Sequence, residues 1–143
     1  MKTLLKLFLI IFLIGSFPVA AYSQEELYNK LNSRLAKLFK SRDYDEAIKV
    51  AEQIVDVAKK TYGEKHPFVS VSLNNMGLLH MARKEYTKAV SVYEKSLKMA
   101  EELLGKKNQN LVSILTQLVK CCNELGEYEK SGKYQERIDE IEG

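Results

Sequence analysis

Along most of this chain apolar and small residues return at intervals of three and four. Leu73, Met76, Gly77, Leu79 and His80 mark one stripe, and Ala89, Val92, Tyr93, Ser96, Leu97 and Ala100 mark the next. That spacing gathers the marked residues on one face of an α-helix, and no useful length alternates with the period of two that a strand needs. Small residues facing large ones let two such helices approach closely. The breaks are short. Lys84-Glu85 turns one helix into the next, Gly63 and Gly105 supply C-terminal stops, and Pro67 after His66 suits a first helical turn. The pattern predicts an all-α chain of six helices in three antiparallel pairs: 25–40 with 44–60, 67–82 with 86–104, and 109–124 with 128–141.

The pairs repeat one another. Tyr44, Tyr86 and Tyr128 lie 42 residues apart, and Tyr62-Gly63-Glu64-Lys65 aligns with Leu104-Gly105-Lys106-Lys107. A fixed period of this size marks a stack in which each unit buries its apolar face only against its neighbours, and three units are about the minimum for stability. The last helix is largely polar, with Tyr128, Tyr134, Ile138 and Ile141 as its apolar contacts, which suits a terminal cap facing water.

Residues 1–23 stand apart from that stack. Lys2 and Lys6 precede the apolar run Leu7–Ile14, and Gly15, Pro18 and the small residues Ala20, Ala21 and Ser23 follow. This is the order of a secretory signal peptide, with cleavage expected after Ser23 or after Ala21. The apolar run is short for a membrane span, which needs about 20 residues, so the mature chain 24–143 is expected to be exported, to a periplasm or outside the cell, without a stable span. Loss of Lys2 and Lys6 reduces 22 basic residues to 20, against 19 acidic ones. A net charge near +1 without a clustered basic stripe gives no case for nucleic acid.

Little else in the chain carries chemistry. Cys121 and Cys122 are adjacent in a helical stretch, where a mutual disulfide does not fit. Cys122 falls on the apolar face and Cys121 off it, so core packing, intermolecular pairing and redox sensing all stay open. His66 and His80 are the only histidines, and no set of four ligands, or three and a water, forms a zinc site. No nucleophile elbow and no glycine-rich phosphate loop is present. The expectation is no catalytic residue, no metal and no cofactor.

The segment Tyr62-Gly63-Glu64-Lys65-His66-Pro67, followed by Ser72-Leu73-Asn74-Asn75-Met76-Gly77, resembles the 42-residue tetratricopeptide repeat of the kinesin-light-chain type. The second repeat matches nearly throughout. The first has Leu35 and the third Val119 where the small residue belongs, and Asn108-Gln109 stands in place of His-Pro. The resemblance covers residues 25–142 and implies a right-handed α-solenoid, with repeats at about 25–60, 67–104 and 109–142.

It further implies that the first helix of each pair lines a concave groove. The inward positions fall on Asn32, Ser33 and Phe39, then Asn74, Asn75, Leu78 and Met81, then Thr116, Gln117 and Lys120. The amides and hydroxyls of that ladder can bond the backbone of an extended peptide. Lys40 and Lys120 alone do not rebuild the family's clamp for a C-terminal carboxylate, so an internal peptide segment is expected. The leading expectation is an exported, non-enzymatic adaptor. The alternatives are an assembly module that self-associates as a homo-oligomer and a regulatory subunit of a separate enzyme.

Overall fold

The computed structural model describes residues 23–143, so the expected signal peptide, Ser23 excepted, lies outside the described residues. Six helices follow in order: α1 (23–41), α2 (Tyr44–Tyr62), α3 (Pro67–Ala82), α4 (Tyr86–Leu104), α5 (Leu111–Glu124) and α6 (Tyr128–Glu142). From α2 onward, packing runs between chain neighbours, α2 on α3, α3 on α4, α4 on α5 and α5 on α6, which is the contact pattern of an α-solenoid. Among the described residues there is no strand.

The turn inside each repeat has one geometry, used three times. Arg42 (φ 61°), Lys84 (φ 60°) and Gly126 (φ 73°) all adopt the left-handed conformation, 42 residues apart. In each the next amide reaches back to close the helix: Asp43 N–H to Leu38 O at 3.0 Å, Glu85 N–H to His80 O at 2.9 Å, and Glu127 N–H to Cys122 O at 2.8 Å. These are the long-range bonds of a Schellman motif, which favours glycine at its left-handed position because a Cβ is strained there. Only the third turn has that glycine. Lys84 is exposed and makes no ion pair among the described residues. Lys84→Gly should therefore stabilise the fold by about 0.5–1 kcal/mol, read as a higher urea midpoint. An unchanged or lower midpoint would show that the turn is unstrained.

Between the two helices of a repeat, one pair of positions carries complementary volumes. Gly77 on α3 faces Tyr93 on α4 so closely that a Cβ on Gly77 would lie 2.6 Å from the Tyr93 ring. One repeat earlier the sizes are exchanged: Leu35 stands at the Gly77 position and Ala51 at the Tyr93 position, and both are buried in one core. Leu35 thus fits because its partner shrank. In the same helix pair, Ser96 Oγ donates to Ser70 O at 2.8 Å and Ser70 Oγ to Ser96 O at 3.1 Å, both fully inside the protein. Small side chains let these backbones close up, and their hydroxyls are satisfied by the facing carbonyls.

The apolar residues divide into two cores. One joins α1, α2 and α3 through Tyr28, Leu31, Ile54, Val69 and Leu79, with Val92 reaching in from α4. The other joins α4, α5 and α6 through Tyr93, Leu97, Leu111, Leu115, Leu118 and Ile138. α6 is a polar cap, as expected, tied down at its edge. Tyr134 donates to Glu94 Oε1 at 2.7 Å, Lys130 pairs with the same carboxylate at 2.8 Å, and Arg137 pairs with Glu101.

Cys121 corrects the sequence reading. It does not lie off the apolar face; both Cys121 and Cys122 are completely buried, as free thiols. Residues 100° apart are both covered because α5 is enclosed on a wide arc, with α4 on one side and α6 on the other.

Candidate binding groove

α1 and α3 lie side by side, and four of the seven sequence-expected residues of repeats one and two meet between them. Asn32, Phe39, Asn75 and Leu78 line a single cavity of about 320 Å³, completed by Leu35, Ala36 and Leu79. Phe39 is 47% exposed, a large apolar surface at the mouth of the cavity. Its ring packs edge-on to Tyr44 with centroids 5.9 Å apart, which fixes its orientation. The sequence reading missed Leu35 and Leu79. Both looked like core residues alone, whereas Leu35 also forms the cavity wall because it occupies the position that is glycine in the next repeat.

The hydrogen-bonding ladder is less open than the sequence suggested. Asn32 Nδ2 donates to Tyr28 O at 2.8 Å, Ser33 Oγ to Asn29 O at 3.0 Å, and Thr116 Oγ1 to Val112 O at 2.8 Å. Each uses its donor on the carbonyl one turn earlier in its own helix. Asn74, Asn75 and Gln117 do not. Asn74 Oδ1 and Gln117 Oε1 are enclosed and have no hydrogen-bond partner among the described residues. A buried amide without a partner is costly, by about 1–3 kcal/mol. Met81 and Leu78 pack against the second core, and Ser33 and Lys120 are exposed. Of the ten expected residues, the structure brings four into one cavity, and Ser33, Asn74, Met81, Thr116, Gln117 and Lys120 lie outside it.

Outside the groove, His80 and the two thiols occupy structural settings. His80 Nδ1 lies 2.7 Å from Glu85 Oε2, and this hydrogen bond holds the Glu85 carboxyl below its ordinary range. Burial pushes the Cys121 thiol up to about 11 and moves Cys122 upward too, so neither is a ready nucleophile. Among the described residues no group of three or more His, Cys, Asp and Glu side chains is placed to hold a metal ion, and no helix is long and apolar enough to cross a membrane.

The sequence profile of the tetratricopeptide repeat matches this chain over residues 29–102 and 68–138. Among curated proteins, an RxLR effector protein of Phytophthora infestans is 29% identical over 103 residues, covering 72% of this chain and 30% of that protein. A secreted RxLR effector protein of Plasmopara halstedii is 27% identical over 117 residues, covering 81% and 36%. The chain thus spans about a third of the length of these relatives. Among solved structures, the TPR domain of Arabidopsis FLU superposes with a TM-score of 0.71 at 15% identity, covering 83% of this chain and 98% of that one. Kinesin light chain-like TPR repeats of Podosopora anserina superpose at 0.65 with 19% identity, covering 88% and 56%.

Proposed function

Because this chain belongs to the tetratricopeptide repeat family, a fold that serves as a scaffold for protein partners, we propose that it holds an extended internal segment of another protein in its concave groove. The observation that carries this reading is the cavity between α1 and α3, where exposed Phe39 stands beside Asn75. Phe39, Leu78 and the cavity floor take an apolar side chain of the segment. Asn75, in the wall of the same cavity, supplies a carboxamide. Carboxamides both donate and accept, so they bond a peptide backbone whatever its side chains. The scaffold acts by holding its partner and carries no catalytic residue.

The same proposal includes export. Residues 1–23 act as a cleaved signal peptide, a reading supported by the resemblance to an effector named as secreted. Mass measurement of the chain recovered from the exported fraction should give Gln24, or Tyr22 if the cut follows Ala21, as its first residue; a chain still carrying Met1 would refute cleavage.

Capture from that fraction tests the groove. Wild type should retain a partner that Asn75→Ala loses, while the helical circular dichroism and melting of the variant stay near wild type. Asn75 is partly exposed and lies off the core. Equal capture by the folded variant would remove the groove from the mechanism.

A further inference from the structure

The interface between repeats two and three contains a vacancy that the interface between repeats one and two lacks. In the earlier interface the rings of Tyr28, Tyr62 and Phe68 pack together, with centroids 4.8–5.7 Å apart. Advance those three positions by 42 and they become Ser70, Leu104 and Asn110. The register is sound, because the same capping bond recurs in both places: His66 Nδ1 accepts from Phe68 N–H at 3.2 Å, and Asn108 Oδ1 from Asn110 N–H at 2.9 Å. With the rings gone, a cavity of about 330 Å³ opens, lined by Ser70, Val71, Leu103, Leu104, Asn110 and Ile114 among others. Its rim is apolar and wet: Val71 is 50% exposed, Leu103 37% and Leu104 45%.

Among the described residues one aromatic side chain is left largely uncovered. Tyr44 and Tyr86 are half-buried, and Tyr86 faces Glu124 of the following repeat. Tyr128, at the same position in the last repeat, is 72% exposed. It stands between Glu127 and Glu129; among the described residues Glu129 pairs with exposed Lys133, and Glu127 lies 4.0 Å from Lys130, which pairs more closely with Glu94. The cavity has the opposite charge beside it. Lys106 and Lys107 follow Leu104 and Gly105 and pair with no acid among the described residues, while the nearby carboxylates of Glu101 and Glu102 are already held by Arg137 and Lys65.

We infer that this notch receives Tyr128 of a second copy of the chain, with Glu127 and Glu129 of that copy set against Lys106 and Lys107. A chain cannot fill its own notch. The cavity lies at the first turn of α5 and Tyr128 beyond its last, and the 14 residues of α5 hold them about 21 Å apart. The contact is head-to-tail, so it extends from copy to copy instead of closing into a symmetric dimer. It uses neither Phe39 nor Asn75, and so stands apart from the peptide groove.

Sedimentation of the purified chain across a concentration series is the test. The mass should climb past the dimer as concentration rises, less so in high salt. Tyr128→Ala should weaken association roughly 30-fold, the scale of losing a buried aromatic anchor. Asn110→Phe should do the same by supplying the ring that Phe68 supplies one repeat earlier. Each variant keeps the half that the other lacks, so mixing them should yield a complex that stops at one copy of each. Lys106→Glu/Lys107→Glu, which alters only exposed side chains, provides a second test: it should weaken association and be rescued by Glu127→Lys/Glu129→Lys in the other copy. A wild type that stays monomeric, or association that survives both Tyr128→Ala and Asn110→Phe, would overturn the inference. So would a mixture of those two variants that remains monomeric.

Discussion

Gly77→Leu should lower stability by about 3 kcal/mol, on the order of a 10 °C fall in Tm. Helix propensity argues the other way, since replacing glycine in a helix interior gains at most about 1 kcal/mol. Sterics decide it. Even a methyl group at this position would sit 2.6–2.8 Å from three atoms of the Tyr93 ring, and leucine adds three more carbons. The ring cannot swing aside, because Tyr93 is completely enclosed between α3, α4 and α5. Relief therefore has to come from moving α3 off α4, which also breaks the reciprocal Ser70–Ser96 bonds. Thermal melting followed by circular dichroism gives the answer. Ala89→Phe, from the facing helix at another completely buried site, should cost a similar amount. A melting temperature unchanged in both would mean that α3 and α4 do not pack on these faces.

The second large effect is expected at Leu118. This side chain is completely buried in the core shared by α4, α5 and α6. Leu118→Ala removes its burial and leaves a cavity that a helix held on both sides is poorly able to collapse, so a loss of about 2–5 kcal/mol follows. Leu104→Ala is the matching control: the same chemistry at a site 45% exposed should change stability by about 0.5 kcal/mol or less. Urea unfolding of the two variants separates the cases. If Leu118→Ala were as mild as Leu104→Ala, α5 would not be the buried centre of the last two repeats.

These effects rest on positions where sequence and structure agree, and the disagreements have local causes. The helices predicted over 67–82 and 86–104 have those bounds, because capping residues mark their ends: His66 and Pro67 at one start, Gly105 at one stop. Where Asn108-Gln109 replaces His-Pro, the residue with a preset φ is missing and α5 begins at Leu111, two residues later than predicted. The strained turns at Arg42 and Lys84 were readable in principle, since Gly126 occupies the same position one and two repeats later. Leu35 and Val119 looked like faults in the repeat. For Leu35 the reading lacked the compensating Ala51, because compensation is a property of pairs and appears only when facing positions are compared. In the groove, residue types did not give the state of the donors. Whether Asn32 or Thr116 spends a hydrogen bond on its own helix is a rotamer choice that composition does not encode. The notch beside Leu104 escaped notice for a related reason: a cavity is defined by what is missing, and Ser70 and Asn110 are unremarkable until set beside Tyr28 and Phe68.

The division into two cores has a consequence for how the protein comes apart. α3 and α4 face both cores, since Leu79 and Val92 belong to the first while Leu78 and Met81 of α3 pack against the second, to which Tyr93 and Leu97 of α4 belong. Either outer pair can fray while the other core keeps this middle pair folded, so opening runs inward from the ends. Amide hydrogens of α1 and α6 should then exchange with solvent long before those of α3 and α4. The middle repeat is the keel of the molecule, and a tug on either terminus will spend its first extension on helices that can re-form against it.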